Sequence, residues 1–133
     1  MKKRRELKPR EELLMRFLWE KNMPMTPNEM AAELSKDGWS NVTVYKIIQA
    51  LSEEEYLKID SFEKTVKTYA RKLIPAISKE EYYSNLLKEK GIDANAIAEL
   101  TASLMGVTSL KKKDKNEKVI KKLEEIISQL KGE

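Results

Sequence analysis

The chain has 133 residues, 41% of them hydrophobic and 36% charged, which fits one lightly cored domain with an extension and excludes two full domains. It contains neither cysteine nor histidine, and its four glycines stand singly, so disulfides, thiolate metal sites, histidine bases and glycine-rich phosphate loops all lack their parts; no enzyme, cofactor or metal site is expected. The net charge of +4 leans to the amino-terminal part: residues 1–77 carry 15 Lys and Arg against 12 Asp and Glu, and residues 78–133 carry 11 against 10.

The basic start Met1-Lys2-Lys3-Arg4-Arg5 is followed by no apolar segment, and no apolar run approaches the ~18 residues of a membrane helix. Neither a signal peptide nor a membrane span is therefore expected, and a cytoplasmic location is. Lys2 to Arg5 read equally well as a loose arm or as phosphate contacts. Pro9 to Glu20 is the first predicted helix, with Leu13, Leu14, Phe17 and Leu18 on one side. Thr26-Pro27-Asn28-Glu29 opens a short second helix as a capping box with proline at the first turn, and that helix ends near Ser35-Lys36-Asp37-Gly38. A tight connection leads to Ser40, so helices two and three form a candidate helix-turn-helix. Trp19 and Trp39 are read as core packing.

From Ser40 as N-cap, the apolar residues Val44, Ile47, Ile48 and Leu51 fall at i, i+3, i+4 and i+7 and make one stripe for burial. At about 100° per residue the opposite face carries Val42, Tyr45, Lys46 and Gln49, with Asn41 and Thr43 at the exposed first turn. A cation for phosphates, amides and hydroxyls for base edges, and a methyl-bearing side chain for thymine are the groups that read a major groove. A merely solvated face is more often filled with Glu and Lys. Glu53, Glu54 and Glu55 come only at the helix end expected to point away from DNA.

Leu57 to Ser61 and Thr65 to Ile74 are rich in β-branched and aromatic residues with basic ones interleaved, which predicts two antiparallel strands. Three helices and a basic hairpin define a mainly α fold, a winged helix-turn-helix DNA-binding domain over residues 1–77. Lys64, Lys67, Arg71 and Lys72 lie on the wing and are expected to hold the DNA backbone. Residues 78–133 read as a helical dimerisation region, with helices from Lys79 to Lys90 and from Asp93 to Leu104 joined around Gly91. After the basic linker Lys111-Lys112-Lys113, a last helix runs from about Asn116 to Leu130. Its Val119, Ile120, Leu123, Ile126, Ile127 and Leu130 make a broad stripe that a small domain has nothing obliged to cover. With Leu100 and Leu104 in support, a symmetry mate would bury it, so a homodimer is expected; packing back on the same chain is the alternative.

The segments Glu12-Leu13-Leu14-Met15-Arg16-Phe17-Leu18-Trp19, Trp39-Ser40 with Thr43-Val44, and Pro75-Ala76-Ile77-Ser78-Lys79-Glu80-Glu81-Tyr82 together resemble the signature blocks of the penicillinase-repressor (BlaI/MecI-like) family. They come in the right order and at compatible spacing, over about residues 10 to 82 and more loosely in the tail. The resemblance implies a bacterial homodimeric repressor of a palindromic operator, with Thr43 and Lys46 in recognition-helix slots used on DNA. Three departures accompany it. Glu55 stands where the family usually has glycine, Ala50 stands where a longer polar residue is common, and the hairpin up to Pro75 is about five residues longer than usual. Without that glycine the chain is expected to leave helix three by another route. An extended wing is expected to change how DNA is contacted. Repressors of this family are inactivated by cleavage in their C-terminal part, but Leu104-Met105-Gly106-Val107 lacks the usual site residues, so an inactivating protease is not carried over. The lack of cysteine also rules out the metal-sensing tail of the copper-responsive branch.

Two function classes follow. One is the homodimeric repressor, with double-stranded operator DNA and a second copy of itself as partners and no membrane. The other is a winged-helix adaptor that binds a protein without DNA. An adaptor would present apolar residues on the outer face of helix three; Tyr45, Lys46 and Gln49 suit bases and phosphates, and Val42 suits either.

Overall fold

The computed structural model describes residues 4–105 and 113–133. Lys2 and Lys3 of the basic start, Gly106 and Val107 of the compared cleavage stretch, and Lys111 and Lys112 of the linker lie outside the described residues. Helix α1 (Pro9–Lys21) opens on proline, whose missing N–H is no loss in a first turn. The Glu11 carboxylate accepts from the Lys8 backbone N–H at 2.8 Å and from two Arg5 guanidinium nitrogens at 2.7 and 2.8 Å. Those bonds let a carboxylate sit in the buried stripe Glu11, Leu14, Met15 and Leu18. The buried face is therefore rotated from the sequence expectation: Leu13 is 49% exposed, and Met15 is buried in its stead.

Helix α2 (Pro27–Ser35) starts as predicted, with the Glu29 N–H donating to Thr26 Oγ1 at 3.1 Å and the Thr26 N–H to the Glu29 carboxylate at 3.0 Å. Helix α3 (Asn41–Glu53) is capped by Ser40, whose Oγ accepts from the Thr43 N–H at 3.2 Å. Val44, Ile48 and Leu51 are buried, and Ile47 is half-buried. The helix does not leave by another route. Glu55 itself takes φ 62°, the Tyr56 N–H reaches the Leu51 carbonyl at 2.8 Å and the Glu55 N–H reaches Ser52 at 3.2 Å. That is the hydrogen-bond pattern glycine usually closes, here adopted by a glutamate whose carbonyl accepts from Arg4 Nε at 2.8 Å.

Strands β1 (Leu57–Lys64) and β2 (Tyr69–Pro75) pair antiparallel, from Leu57 opposite Pro75 to Lys64 opposite Tyr69. A register shift between Ile59 and Ser61 leaves Asp60 as an extra, bulged residue. The first strand runs three residues past the expected end at Ser61, and Thr65 to Thr68 form the turn rather than the start of the second strand. Thr65 closes it: its N–H donates to the Thr68 carbonyl at 2.7 Å, and its Oγ1 accepts from the Thr68 N–H at 3.1 Å. Its β-branched shape signals a strand, but its hydroxyl makes a turn. At the base, Met25 bridges Leu73 through bonds of 3.2 and 2.8 Å, tying the α1–α2 connection to the wing.

The core joins α1, α2, α3 and the base of the wing through Leu14, Leu18, Met30, Val44, Leu51, Tyr56 and Leu73. Helix α4 (Lys79–Glu89) begins on the same body. The buried Tyr82 hydroxyl accepts from the Leu7 N–H at 3.0 Å, and the Trp19 indole N–H donates to the Ile77 carbonyl at 3.0 Å. Trp19 and Trp39 are half-buried against the core. The compact unit so built runs from Met1 to Leu87. It is a mainly α winged helix-turn-helix.

A second unit spans Lys88–Glu133. A 3-10 turn, Ala94–Ala96, is capped by Asp93, whose Oδ1 accepts from the Asn95 N–H at 2.9 Å. Helices α5 (Ile97–Met105) and α6 (Lys113–Lys131) follow. None of this unit's described residues is buried. Leu100, Val119 and Leu123 are half-buried, while Leu104, Ile120, Ile126, Ile127 and Leu130 are 41–82% exposed.

Candidate nucleic-acid interface

The cap at Ser40 and the buried stripe fix which way α3 faces, and its other side is open. Asn41, Val42, Tyr45, Lys46 and Gln49 are all exposed, Val42 by 62% and Tyr45 by 40%. Thr43 is half-buried at the edge; its Oγ1 accepts from Ser40 Oγ at 2.8 Å and keeps its own proton to donate. The Tyr45 hydroxyl donates to Asn28 Oδ1, so its ring leans over the start of α2. Asn28 is thereby a neighbour of the candidate interface that the sequence reading missed. Its place in the exposed first turn of the helix before α3 was a usable signal, but the contact with Tyr45 is tertiary. Gln49 Nε2 donates to the Glu53 carboxylate at 3.3 Å, a long exposed bond that a base edge can replace.

The four wing cations expected on the DNA backbone are unevenly placed. Arg71 borders a shallow groove beside α3 with Pro27, Tyr45, Gln49, Ser52 and Glu53, and so lies next to the outer face of that helix. Lys64 stands opposite Tyr69 at the outer end of the ladder, and Lys67 lies within the turn. Lys72 is half-buried on the reverse face, opposite Ser61. The Glu29 carboxyl is held below its ordinary range, first by the Thr26 backbone N–H and also by the charge of Lys72. Lys72 is thus partly balanced by a carboxylate of its own fold.

Among the described residues, salt bridges join Arg5 to Glu11 and Glu54 at 2.7 and 3.8 Å, and Glu33 to Lys21 and Lys36 at 3.7 and 3.3 Å. Lys46, Lys64, Lys67 and Arg71 form none, which leaves their charge to the surface field. Arg4 and Arg5 are tied to the fold and are not a loose arm. Arg4 bonds the Glu55 carbonyl and lies 5.8 Å from the Tyr56 ring centre, and Arg5 clamps Glu11. Among the described residues no cluster could hold a metal ion, and no helix is long and apolar enough to cross a membrane.

A family model described as penicillinase repressor matches residues 7–129. No curated protein matches the chain. Among solved structures, the monomeric form of BlaI from Bacillus licheniformis in complex with the blaP half-operator is 25% identical, covers 62% of this chain and 94% of its own, and has a TM-score of 0.44. The adhesin competence repressor AdcR from Streptococcus pyogenes is 16% identical, with 93% of this chain and 80% of its own covered and a TM-score of 0.42.

Proposed function

The chain belongs to the penicillinase repressor family and is a DNA-binding repressor, and we propose that it works as a cytoplasmic homodimer that reads a pseudo-palindromic operator. One observation carries the reading. Helix α3 buries Val44, Ile48 and Leu51 and exposes Asn41, Val42, Tyr45, Lys46 and Gln49, with no carboxylate before Glu53. In the major groove, Lys46 takes a phosphate or a guanine edge, the amides of Asn41 and Gln49 suit adenine, and the methyl groups of Val42 and Thr43 suit thymine. Lys64, Lys67 and Arg71 add backbone affinity that carries no sequence information.

Residues 1–77 supply the DNA contacts in this scheme, and residues 78–133 supply the pairing. What supports the pairing is the second unit's lack of buried residues: Leu100, Leu104, Val119, Ile120, Leu123, Ile126, Ile127 and Leu130 gain a core from a second copy. A two-fold dimer sets two α3 helices about 34 Å apart, one DNA turn, or a multiple of it. The test is a gel shift against DNA from the region upstream of the protein's own gene, repeated over a salt series. The expected result is a complex preferred over unrelated DNA, weakening steeply as salt rises. Equal affinity for all DNA, or none, would instead favour the adaptor reading, in which the exposed Val42 meets a protein.

A further inference from the structure

Lysine and arginine do not account for the whole surface of the wing. Phe62 and Tyr69 are each 62% exposed, and Val66 in the turn is fully exposed. Phe62 lies opposite Arg71 in the ladder, and Lys64 lies opposite Tyr69. Directly opposed residues share a sheet face, and alternation puts both pairs on the same one, with Ser61, Glu63, Ala70 and Lys72 on the other. The first face is the one turned to α3, because Arg71 borders the groove lined by Tyr45 and Gln49, and Leu73, two residues along, is buried in the core. Beside the reading helix, aromatic and basic side chains therefore interleave, and the nearest wing carboxylate, Glu63, is on the reverse.

We propose that Phe62 and Tyr69, with Val66 at the tip, press into the minor groove next to the half-site read by α3, so that the operator is also selected for easily unstacked pyrimidine–purine steps at that place. The inference rests on the DNA-binding reading above and names a further specificity determinant within it. Charge chooses the occupant: Lys64 and Arg71 flank the two rings and Lys67 sits at the tip, an arrangement that fits a groove walled by phosphates. Reach allows it, since the three or four residues from Arg71 to the turn extend roughly 10–13 Å at ~3.3 Å each, enough to pass one phosphate backbone. Apolar side chains that enter a minor groove part the bases, and steps such as TA yield at least cost, so the sequence is read as deformation energy. Such contacts displace no counterions. Their contribution is independent of salt, unlike that of Lys64 and Arg71.

The test uses the full chain and a duplex that it selects from a random-sequence pool, together with a copy in which pyrimidine–purine steps flanking each half-site are changed to purine–purine. Phe62→Ser/Tyr69→Ser should bind the selected duplex roughly tenfold or more weakly at every salt concentration, with an unchanged salt slope. It should also lose the parent's preference for the original flanks. Phe62→Leu/Tyr69→Leu, which keeps an apolar wedge, should recover most of the affinity. Parent-like affinity, a reduced salt slope, a surviving flank preference or a leucine pair as weak as the serine pair would overturn the proposal. A changed sedimentation state of the serine variant would overturn it too, by assigning the patch to a second copy of the chain. Lys46→Ala in parallel separates the two failures: if it weakens binding and the serine variant does not, only the wing inference falls, whereas if no duplex is selected or Lys46→Ala is silent, the DNA-reading scheme itself falls.

Discussion

Glu55 sits at φ 62°, where a Cβ crowds the following carbonyl at a cost of about 1 kcal/mol. The bonds that hold this corner are made by main-chain atoms, including the carbonyl that Arg4 engages, and glycine would keep them all. Glu55→Gly should accordingly raise unfolding stability by about 0.5–1 kcal/mol in urea titration, and an unchanged or lower midpoint would mean that the glutamate side chain contributes to the fold. Glu11 is the opposite kind of residue, a carboxylate the fold depends on. The Arg5 guanidinium and then the Lys8 N–H hold its carboxyl below the usual range, against the burial that opposes ionisation. A depressed folded-state pKa stabilises above the unfolded value, so this contribution is present at neutral pH and is lost as pH falls below about 4.5. Glu11→Gln should cost about 1–3 kcal/mol at neutral pH and flatten the acid limb of the stability curve. An acid limb as steep as the parent's would place that pH dependence elsewhere.

At the level of elements, helix starts were legible because their signals are local. Thr26 with Glu29 and Ser40 with Thr43 make the caps their spacing predicts, and Val44, Ile48 and Leu51 bury the stripe their period predicts. Less could be read where a side chain's role depends on a distant partner. Glu11 fits the buried stripe of α1 only because Arg5 clamps it, so the stripe read from apolar residues alone settled on Leu13 instead of Met15. Thr65 looks like a strand residue until its hydroxyl is seen closing the turn, and Tyr45 meets Asn28 across two helices. Placing the turn at Thr65 to Thr68 also separates the wing cations by position. Lys64 and Lys67 reach furthest out, whereas Lys72 is half-buried and shares its field with Glu29. Replacing Lys64 and Lys67 with Ala should weaken specific and non-specific binding by similar factors and flatten the salt slope by up to about two units. Lys72→Ala alone should move the slope less than either; a larger effect from Lys72 would place the reverse face of the wing on the backbone.

For the molecule as a whole, the function proposed above assigns DNA reading to the folded winged helix and pairing to the second unit, whose described residues are not buried. Ending the chain at residue 112 removes α6 entirely. The shortened protein should sediment as a monomer, keep its winged helix and lose most operator affinity, because a single half-site loses the gain from linked binding. Continued dimerisation would move the interface away from α6. The central claim, that α3 reads the operator, is tested most directly by comparing Lys46→Ala with Val44→Ala on the best-bound duplex. Lys46 is exposed and Val44 is fully buried on the same helix. Lys46→Ala should lose roughly 1–3 kcal/mol of binding with parent stability, while Val44→Ala should lose fold stability first. A folded Lys46→Ala protein that binds that duplex as tightly as the parent would contradict the assignment of α3 as the reading helix.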